Sequence, residues 1–269
     1  MIVELPSCDH PIKLIQLTDC HLGKVAGEPL LSMDTDHSLA AVIDSVKARH
    51  ADFDLLLATG DIANHASQSA YQRFAQLTEQ LTKHQFWLPG NHDDPEVMQQ
   101  VLGGPLIKAV KVANWLIILL DSTVRGYVGG EFSQQELDLL QQLLVGHQEE
   151  HILICLHHHP VDINCKWLDE QRLKNAEAFF TIVDRHDNVR GILWGHIHQH
   201  IDQLRGGVQL MATPSTCIQF APYSENFQLD NQSPGYRSLE LHANGQIKTA
   251  VYRVEGYPVN IDLQDSTGY

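Results

Sequence analysis

Residues that bind divalent metals recur in this sequence directly after short apolar runs. Five such runs are followed by aspartate, asparagine or histidine, and the candidate residues are Asp19, His21, Asp61, Asn91, His92, His157, His196 and His198. Imidazole nitrogens with carboxylate and carboxamide oxygens, and no thiolate, suit Fe, Mn, Co or Zn better than Ca²⁺. The set therefore predicts a site for two cations, bridged by a carboxylate such as Asp61.

The charges at such a site indicate its chemistry. Two divalent cations outweigh the carboxylates of Asp19 and Asp61 together with a bridging hydroxide, so the site is expected to attract a phosphate ester. Metal pairs about 3.5–4 Å apart hold both the attacking and the leaving oxygen of an in-line phosphoryl displacement. The expected reaction is hydrolysis of a phosphate ester. Cys20, which lies between two candidate ligands, is expected to be a buried thiol.

The elements around these residues follow an α/β pattern, in which short apolar runs alternate with helical periodicities. The predicted strands are Ile12–Leu17, Phe53–Thr59, Phe86–Pro89, Ile152–Leu156 and Val189–Trp194. Ligands of α/β sheets bind beyond the carboxyl ends of strands, so the five strand ends predict one shared site. Residues two apart in an extended chain face the same way, so Asp19 and His21 are expected to point at one place, as are His196 and His198.

Apolar residues three and four apart and typical turn residues predict further elements. They are a helix over Thr35–His50, a helix with the face Ala70, Phe74, Leu77 and Leu81, a helix from the capping box Ser133–Glu136 to Gly146, hairpins at Asn114 and Asn244-Gly245, and a long loop over Pro222–Pro234. Loops of that length are often functional.

Composition narrows the class of protein. The 269 residues carry 18 Lys and Arg against 33 Asp and Glu, a net charge of −15, which argues against a nucleic-acid partner because such binders present basic faces. Apolar residues make up 43% of the chain, enough for a sizeable core. A single domain over residues 1–269 is expected, with a core at about 12–254 and a tail at 255–269. No apolar run reaches the ~18 residues that span a bilayer, so no membrane partner is expected.

Cysteine usage and the first residues indicate a compartment. The five cysteines form an odd set without a Cys-x-x-Cys pair, which favours reduced thiols. The first residues lack the basic start and the apolar stretch of a signal peptide. A cytoplasmic location is therefore expected, while a monomer and a homodimer both stay open.

The order of the motifs is similar to that of a known family. The motifs D-x-H, G-D, G-N-H-D, H-H-x-P and G-H-x-H begin at Asp19, Gly60, Gly90, His157 and Gly195. This set resembles the calcineurin-like metallophosphoesterases over about Lys13–Val254. The segments Ala212–Cys217 and Pro234–His242 resemble the bacterial class III 3′,5′-cyclic AMP phosphodiesterases within that superfamily. The resemblance implies a four-layer αββα sandwich that hydrolyses a small cyclic nucleotide.

The resemblance also implies roles for the candidate residues. One cation would be held by Asp19, His21, Asp61 and His198, and the other by Asp61, Asn91, His157 and His196. The cations are typically Fe²⁺ or Mn²⁺, with Zn²⁺ or Co²⁺ as alternatives. A bridging hydroxide would attack phosphorus and expel the 3′ oxygen, giving 5′-AMP and lowering intracellular cyclic AMP. Asn91 and His92 are the implied catalytic residues, and the implied substrate contacts are His21, Asp61, Asn91, His92 and His198.

Residues beside the motifs have plainer interpretations. His158 and His159 cannot both face the metals, because neighbours in an extended chain alternate. His200 is interpreted as a supporting residue. Asp93 and Asp94 are assigned to the start of a helix rather than to the site.

Three points bear on the substrate. Many members of the family carry an acidic residue shortly after the G-D motif, in the region where this sequence has Asn64, so it stays open whether a carboxylate orients His92. Trp167 is the tryptophan best placed to contact a base, and the loop over Pro222–Asp230 is predicted to cover the site and sense the nucleoside.

Two alternatives stay open: hydrolysis of 2′,3′-cyclic nucleotides or glycerophosphodiesters at the same centre, and a non-catalytic scaffold that binds a protein partner.

Overall fold

The computed structural model describes residues 1–264, which form two main sheets flanked by helices. The strands are β1 Ile2–Leu5, β2 Ile12–Leu17, β3 Pro29–Leu30, β4 Met33–Asp34, β5 Leu55–Thr59, β6 Gln85–Leu88, β7 Ala109–Val112, β8 Trp115–Leu119, β9 His151–Cys155, β10 Val189–Trp194, β11 Ile201–Arg205, β12 Val208–Ala212, β13 Gln219–Phe220, β14 Leu229–Asp230, β15 Gly235–Leu241 and β16 Ile247–Arg253. The helices are α1 Thr35–Arg49, α2 Gln68–Thr78, α3 Pro95–Leu102, α4 Gln134–Gly146, α5 Lys166–Asp169 and α6 Ala176–Val183.

The strand order brings the carboxyl ends of the central strands together. The larger sheet has the order β1-β7-β8-β9-β10-β12-β11, and the smaller has the order β16-β15-β2-β5-β6. Strands β2, β5 and β6 are parallel, as are β8, β9, β10 and β12. Parallel strands are buried on both faces, which explains why their sequences are nearly continuous apolar runs.

Three apolar clusters separate four layers of secondary structure. Between the sheets, Leu14 and Leu57 of the smaller sheet pack in one cluster with Ile117 and Leu153 of the larger sheet. Helices α1 to α3 cover the outer face of the smaller sheet, and α4 and α6 cover that of the larger sheet. The expected αββα sandwich is confirmed.

Local sequence signals place most of these elements. The Asp34 carboxylate accepts a hydrogen bond from the main-chain N–H of His37 and begins α1, which buries Leu39, Val42, Ile43 and Val46. The Ser133 hydroxyl accepts from the main-chain N–H of Glu136 and begins α4, which is one half of the predicted capping box. The Glu136 carboxylate accepts instead from Lys108 Nζ and from the main-chain N–H of Asp121. Both hairpins are confirmed, because β7 pairs antiparallel with β8, and β15 with β16.

Two expectations about the elements were wrong. Helix α2 ends at Thr78, so Leu81 lies beyond the helix. The main-chain N–H of Leu81 donates to the Thr78 carbonyl in a turn. The stretch over Pro222–Pro234 is not entirely loop, since Leu229–Asp230 pairs antiparallel with Gln219–Phe220. Two-residue strands are too short to show an alternating pattern in the sequence.

The C-terminal part of the described chain returns to the body of the molecule. Strand β15 pairs with β2, and beyond β16 the Tyr257 hydroxyl lies 3.3 Å from His37 Nδ1. The expectation of one domain with a tail at 255–269 stays a prediction, and residues 265–269 lie outside the described residues. Within residues 1–264, every helix is too short or too polar to cross a membrane.

Candidate metal centre

Loops that follow β2, β5, β6, β9 and β10 meet at one end of the two sheets. All the predicted ligands lie on these loops: Asp19, His21, Asp61, Asn91, His157, His196 and His198. All of them except Asn91 are buried. Their assignment to metal ions stays a prediction, but the geometry brings the side chains to one place.

One group of donor atoms surrounds His21. Its Nε2 lies 3.2 Å from His198 Nε2 and 3.7 Å from Asp61 Oδ2. The Asp19 carboxylate is part of the same group, with Oδ1 3.4 Å from His198 Nε2. These four residues are the set that the family resemblance assigns to one cation.

A second group shares the Asp61 carboxylate. Asp61 Oδ2 lies 3.2 Å from His157 Nε2, so the same oxygen is close to both groups and is placed to bridge two cations. Asn91 and His196 line a cavity with Asp61. Within the described chain, Asn91 Oδ1 and His196 Nε2 are buried atoms without a hydrogen-bond partner. Bound cations would satisfy both atoms.

Hydrogen bonds to main-chain carbonyls orient two of the histidines. His157 Nδ1 donates to the Thr59 carbonyl at 2.8 Å, and His198 Nδ1 donates to the Ile218 carbonyl at 2.9 Å. A proton held at Nδ1 leaves the Nε2 lone pair for a metal, which is the usual arrangement around histidine ligands. The residues present therefore fit a dinuclear centre.

The backbone at the ligands differs from the expected extended form. Asp19, His21, Asp61, His196 and His198 all have positive φ values, between 46° and 67°. The alternation of an extended chain therefore does not explain why side chains two apart converge, and that reasoning was wrong. Asp and His are among the residues that tolerate this left-handed region, which costs about 1–3 kcal/mol and concentrates at functional sites.

Two glycines allow the loops to approach closely. Gly60 has φ +97°, and a side chain there would collide with the His157 ring. A side chain at Gly90 would collide with the Asp61 carboxylate. The glycines of the G-D and G-N-H-D motifs are thus required by the distance between neighbouring loops.

Burial and mutual contact shift the pKa values of the buried groups. Burial alone would lower the pKa of His157, but the adjacent Asp61 carboxylate raises it to about 9. Burial opposes ionisation of Asp61, yet His157 and His92 hold its pKa well below the ordinary range. Burial lowers the pKa of His21 and of His196, which favours the neutral form that binds cations.

A main-chain oxygen orients the His92 ring. His92 Nδ1 donates to the Asn64 carbonyl at 3.0 Å, and the main-chain N–H of His92 donates to Asp61 Oδ1 at 2.9 Å. The ring packs edge-on against His21, with centroids 4.8 Å apart. His92 is therefore oriented, although no side-chain pattern in the sequence indicated how.

Asp93 is a supporting residue that the sequence reasoning missed. Its carboxylate accepts hydrogen bonds from the main-chain N–H groups of Gly90, Ile62 and Ala63 and from the Tyr71 hydroxyl, at 2.9–3.3 Å. Burial and the nearby Asp61 charge raise the pKa of Asp93 to about 6. The neighbouring Asp94 begins α3, so the helix-start interpretation is correct for Asp94 alone.

Other histidines and Cys20 have different partners. His158 Nε2 donates to the Val128 carbonyl, and its Nδ1 lies 2.8 Å from the Ser122 hydroxyl, so both ring nitrogens are engaged. His159 Nε2 lies 3.4 Å from Asp169. His200 is exposed and pairs with Asp202. Cys20 is fully buried among apolar residues, and the predicted buried thiol is confirmed.

Comparison with known proteins agrees with this geometry. Residues 12–200 match the calcineurin-like phosphoesterase family. The chain belongs to this family. Within it, the chain is 48% identical over 250 residues to the 3′,5′-cyclic adenosine monophosphate phosphodiesterase CpdA of Vibrio vulnificus, covering 91% of each chain. The protein of the same name from Pseudomonas aeruginosa is 42% identical over 98% of this chain and 97% of its own length.

A solved structure shares the fold of this chain. The dimetal phosphatase from Danio rerio superposes with a TM-score of 0.64, at 15% sequence identity, over 92% of this chain and 100% of that chain. At that identity the likeness concerns the fold alone.

Proposed function

We propose that this protein hydrolyses 3′,5′-cyclic AMP to 5′-AMP. The observation that carries the proposal is the identity of 48% over 91% of the chain to a cyclic AMP phosphodiesterase. The set of candidate ligands and His92 is complete in this chain, which favours catalysis over a scaffold.

We propose that two divalent cations bind to the two groups of donors. Fe²⁺ or Mn²⁺ is favoured because the donors are nitrogen and oxygen without thiolate, and Zn²⁺ or Co²⁺ are the alternatives. When bound, such cations would polarise phosphoryl oxygens and lower the pKa of water towards neutrality. Asp61 holds the two sites together because one oxygen faces both.

The chain's own residues position the phosphodiester. Asn91 and His92 line the cavity beside Asp61, so a phosphate there lies within reach of the carboxamide and the imidazole. The bond from His92 Nδ1 to the Asn64 carbonyl fixes the ring. Because Nδ1 donates to the Asn64 carbonyl, Nε2 carries a proton only in the imidazolium form, and in that form it is placed to stabilise a phosphate oxygen or to reach the departing 3′ oxygen.

Product analysis tests the proposed reaction. Protein reconstituted with Mn²⁺ or Fe²⁺ is incubated with 3′,5′-cyclic AMP, and nucleotides are separated by chromatography, with chelator-treated protein as the control. Release of 5′-AMP that the chelator abolishes is expected. Cleavage of 2′,3′-cyclic AMP or a glycerophosphodiester, without cleavage of 3′,5′-cyclic AMP, would assign the alternative substrates instead.

We also propose the cytoplasm as the place of action. All five cysteines are free thiols in the structure, and four of them are buried. Free thiols suit a reducing compartment. Fractionation of cells that express the protein would test this, and recovery outside the cytoplasmic fraction would contradict it.

A further inference from the structure

The cavity beside the metal centre, about 220 Å³ in volume, has an apolar end. Candidate metal residues and His92 line one side. The other wall consists of Val128, Trp167, Leu168, Gln171, Phe220 and Phe227. A phosphodiester held by the metal residues would therefore place the rest of its molecule against a wall without charged side chains.

Three aromatic rings in this wall hold one another in place. The Trp167 ring packs edge-to-face on Phe220 and Phe227, with centroids 5.0 Å and 5.2 Å apart. Trp167 Nε1 donates to the Ser224 hydroxyl at 3.1 Å. On its other side, Phe220 stacks on the ring of His198, at 4.2 Å and an angle of 13°. The wall is thus preorganised and continuous with a candidate metal ligand.

Gln171 supplies the polar side chain of this wall. Its main chain is fixed, because its N–H donates to the Leu168 carbonyl and its carbonyl accepts from Gly130. Among the described residues, the Gln171 carboxamide has no hydrogen-bond partner, although the residue is half-buried. Pockets for small molecules are usually apolar with a few polar groups that fix the orientation of the ligand.

We propose that the nucleobase packs against Trp167 and Phe227 and that the Gln171 carboxamide reads its polar edge. This inference rests on the proposed function, because it places the phosphate at the metal centre. A carboxamide presents a donor beside an acceptor, which matches the exocyclic amine of adenine and the ring nitrogen next to it. A carboxylate at the same position offers acceptors alone and matches the N1–H and amino group of guanine.

The test compares three substrates and two variants. We measure kcat/KM of the metal-loaded wild type, Gln171→Glu and Gln171→Leu on 3′,5′-cyclic AMP, 3′,5′-cyclic GMP and the base-free diester bis(p-nitrophenyl) phosphate. Gln141→Glu, on the exposed face of α4, introduces the same charge elsewhere and is the control. A bidentate contact discriminates bases by about 5- to 150-fold, so Gln171→Glu is expected to raise the cyclic GMP to cyclic AMP ratio at least about fivefold. Gln171→Leu is expected to lose activity on cyclic AMP without any gain in activity on cyclic GMP.

The outcomes separate the two proposals. An unchanged base ratio in an active Gln171→Glu variant, or equal losses on all three substrates, would overturn the role of Gln171 while leaving the proposed function intact. A wild type that cleaves only the base-free diester would overturn the proposed function, and with it this inference. Replacement of Trp167 by Leu is expected to raise KM for cyclic AMP roughly 5- to 100-fold, since a stacked base contributes that much.

Discussion

At the scale of single residues, the loops at the metal centre lock one another into a strained conformation. The main-chain N–H of Asp19 donates to the Gly60 carbonyl at 3.0 Å, and that of His21 donates to the Asp61 carbonyl at 2.9 Å. The Asp19 carboxylate accepts from the N–H of His196. Left-handed residues persist when the surroundings fix them in this way. These hydrogen bonds between loops therefore position the donor atoms.

His92 and Asn64 should differ sharply in their response to substitution. His92→Ala is expected to reduce kcat/KM on cyclic AMP by about 10²–10⁴, because it removes a positioned acid or phosphate donor. Asn64→Ala is expected to cost much less than His92→Ala, because the main-chain carbonyl that orients His92 remains. The values of kcat/KM for both variants are measured, together with the metal content of each preparation. A loss in Asn64→Ala as large as in His92→Ala would show that the Asn64 side chain has a role of its own.

Asp93 is predicted to stabilise the site through its main-chain partners. Asp93→Asn replaces an acceptor oxygen by a donor, so part of its contact with Gly90, Ile62 and Ala63 is lost. The free energy of unfolding is expected to fall by about 1–3 kcal/mol, measured by urea titration. Asp94→Asn is the matched control, since asparagine also begins helices well. Equal stability of Asp93→Asn and the control would contradict the assignment.

The sequence could predict the residue types at this site but not their backbone. Side chains that bind metals stand out after apolar runs, and all seven predicted ligands lie on the converging loops. The left-handed φ values depend on contacts between loops far apart in the chain, so no local pattern reports them. The partner of His92 is a main-chain oxygen, which every residue carries. Asp93 was hidden because an acidic residue before a proline equally predicts a helix start.

At the scale of elements, the short pair β13–β14 supports the metal centre from the side. The Ile218 carbonyl, directly before β13, accepts from His198 Nδ1, and Phe220 in β13 stacks on the same ring. The pairing of Phe220 with Leu229 holds this strand. The buried parallel strands were predictable within a few residues because each is a continuous apolar run, whereas this pair was not.

A buried arginine in β15 connects the two sheets. All five N–H donors of Arg237 are satisfied, and their acceptors are Thr213 Oγ1, Asp202 Oδ1, Thr249 Oγ1 and the carbonyls of Ile201 and Ala212. Arg237→Met is expected to lower the free energy of unfolding by about 1–3 kcal/mol, because it removes the hydrogen bonds that the buried guanidinium donates to the Ile201 and Ala212 carbonyls and to the Thr213 hydroxyl. At low temperature the folded variant should retain activity, since Arg237 does not line the cavity.

The free energy of unfolding in urea is measured for Arg237→Met and for the control variant Arg205→Met. Arg205 forms an exposed ion pair with Asp184, which is worth less than about 1 kcal/mol. A similar effect of both substitutions would show that the buried network contributes no more than a surface pair.

His50, directly after α1, should make stability depend on pH. Burial, and then the charges of Arg49 and Lys13, lower its pKa below the ordinary value, and its ring packs against Tyr236 and Tyr252. The unfolded chain therefore takes up the proton more readily. The stabilisation is full above a pH of about 6.5 and is lost as the pH falls through the lowered pKa. Glutamine at position 50 stays neutral at every pH. As the pH falls from about 8 to about 5.5, the free energy of unfolding of His50→Gln should therefore rise relative to that of the wild type in urea titrations. A constant difference would contradict this.

At the scale of the whole molecule, the net charge of −15 repels an anionic substrate. Within the site, Asp19 and Asp61 add negative charge beside histidines of lowered pKa. Two cations would reverse the sign locally. The fold therefore concentrates its donor atoms at one end of the two sheets, where bound cations would both attract the substrate and stabilise the protein.

Removal of the cations should thus destabilise the entire fold. Ligands that bind only the folded state stabilise it by about 2.7 kcal/mol at a hundredfold excess over Kd, which corresponds to a rise in Tm of about 5–10 °C for a chain of this size. Calorimetry before and after chelation, with metal content measured, checks the difference. Added Mn²⁺ should restore Tm, Ca²⁺ should not, and Asn91→Ala should respond less because one buried donor is absent. An unchanged Tm after complete metal removal would show that the site folds without help from its cations.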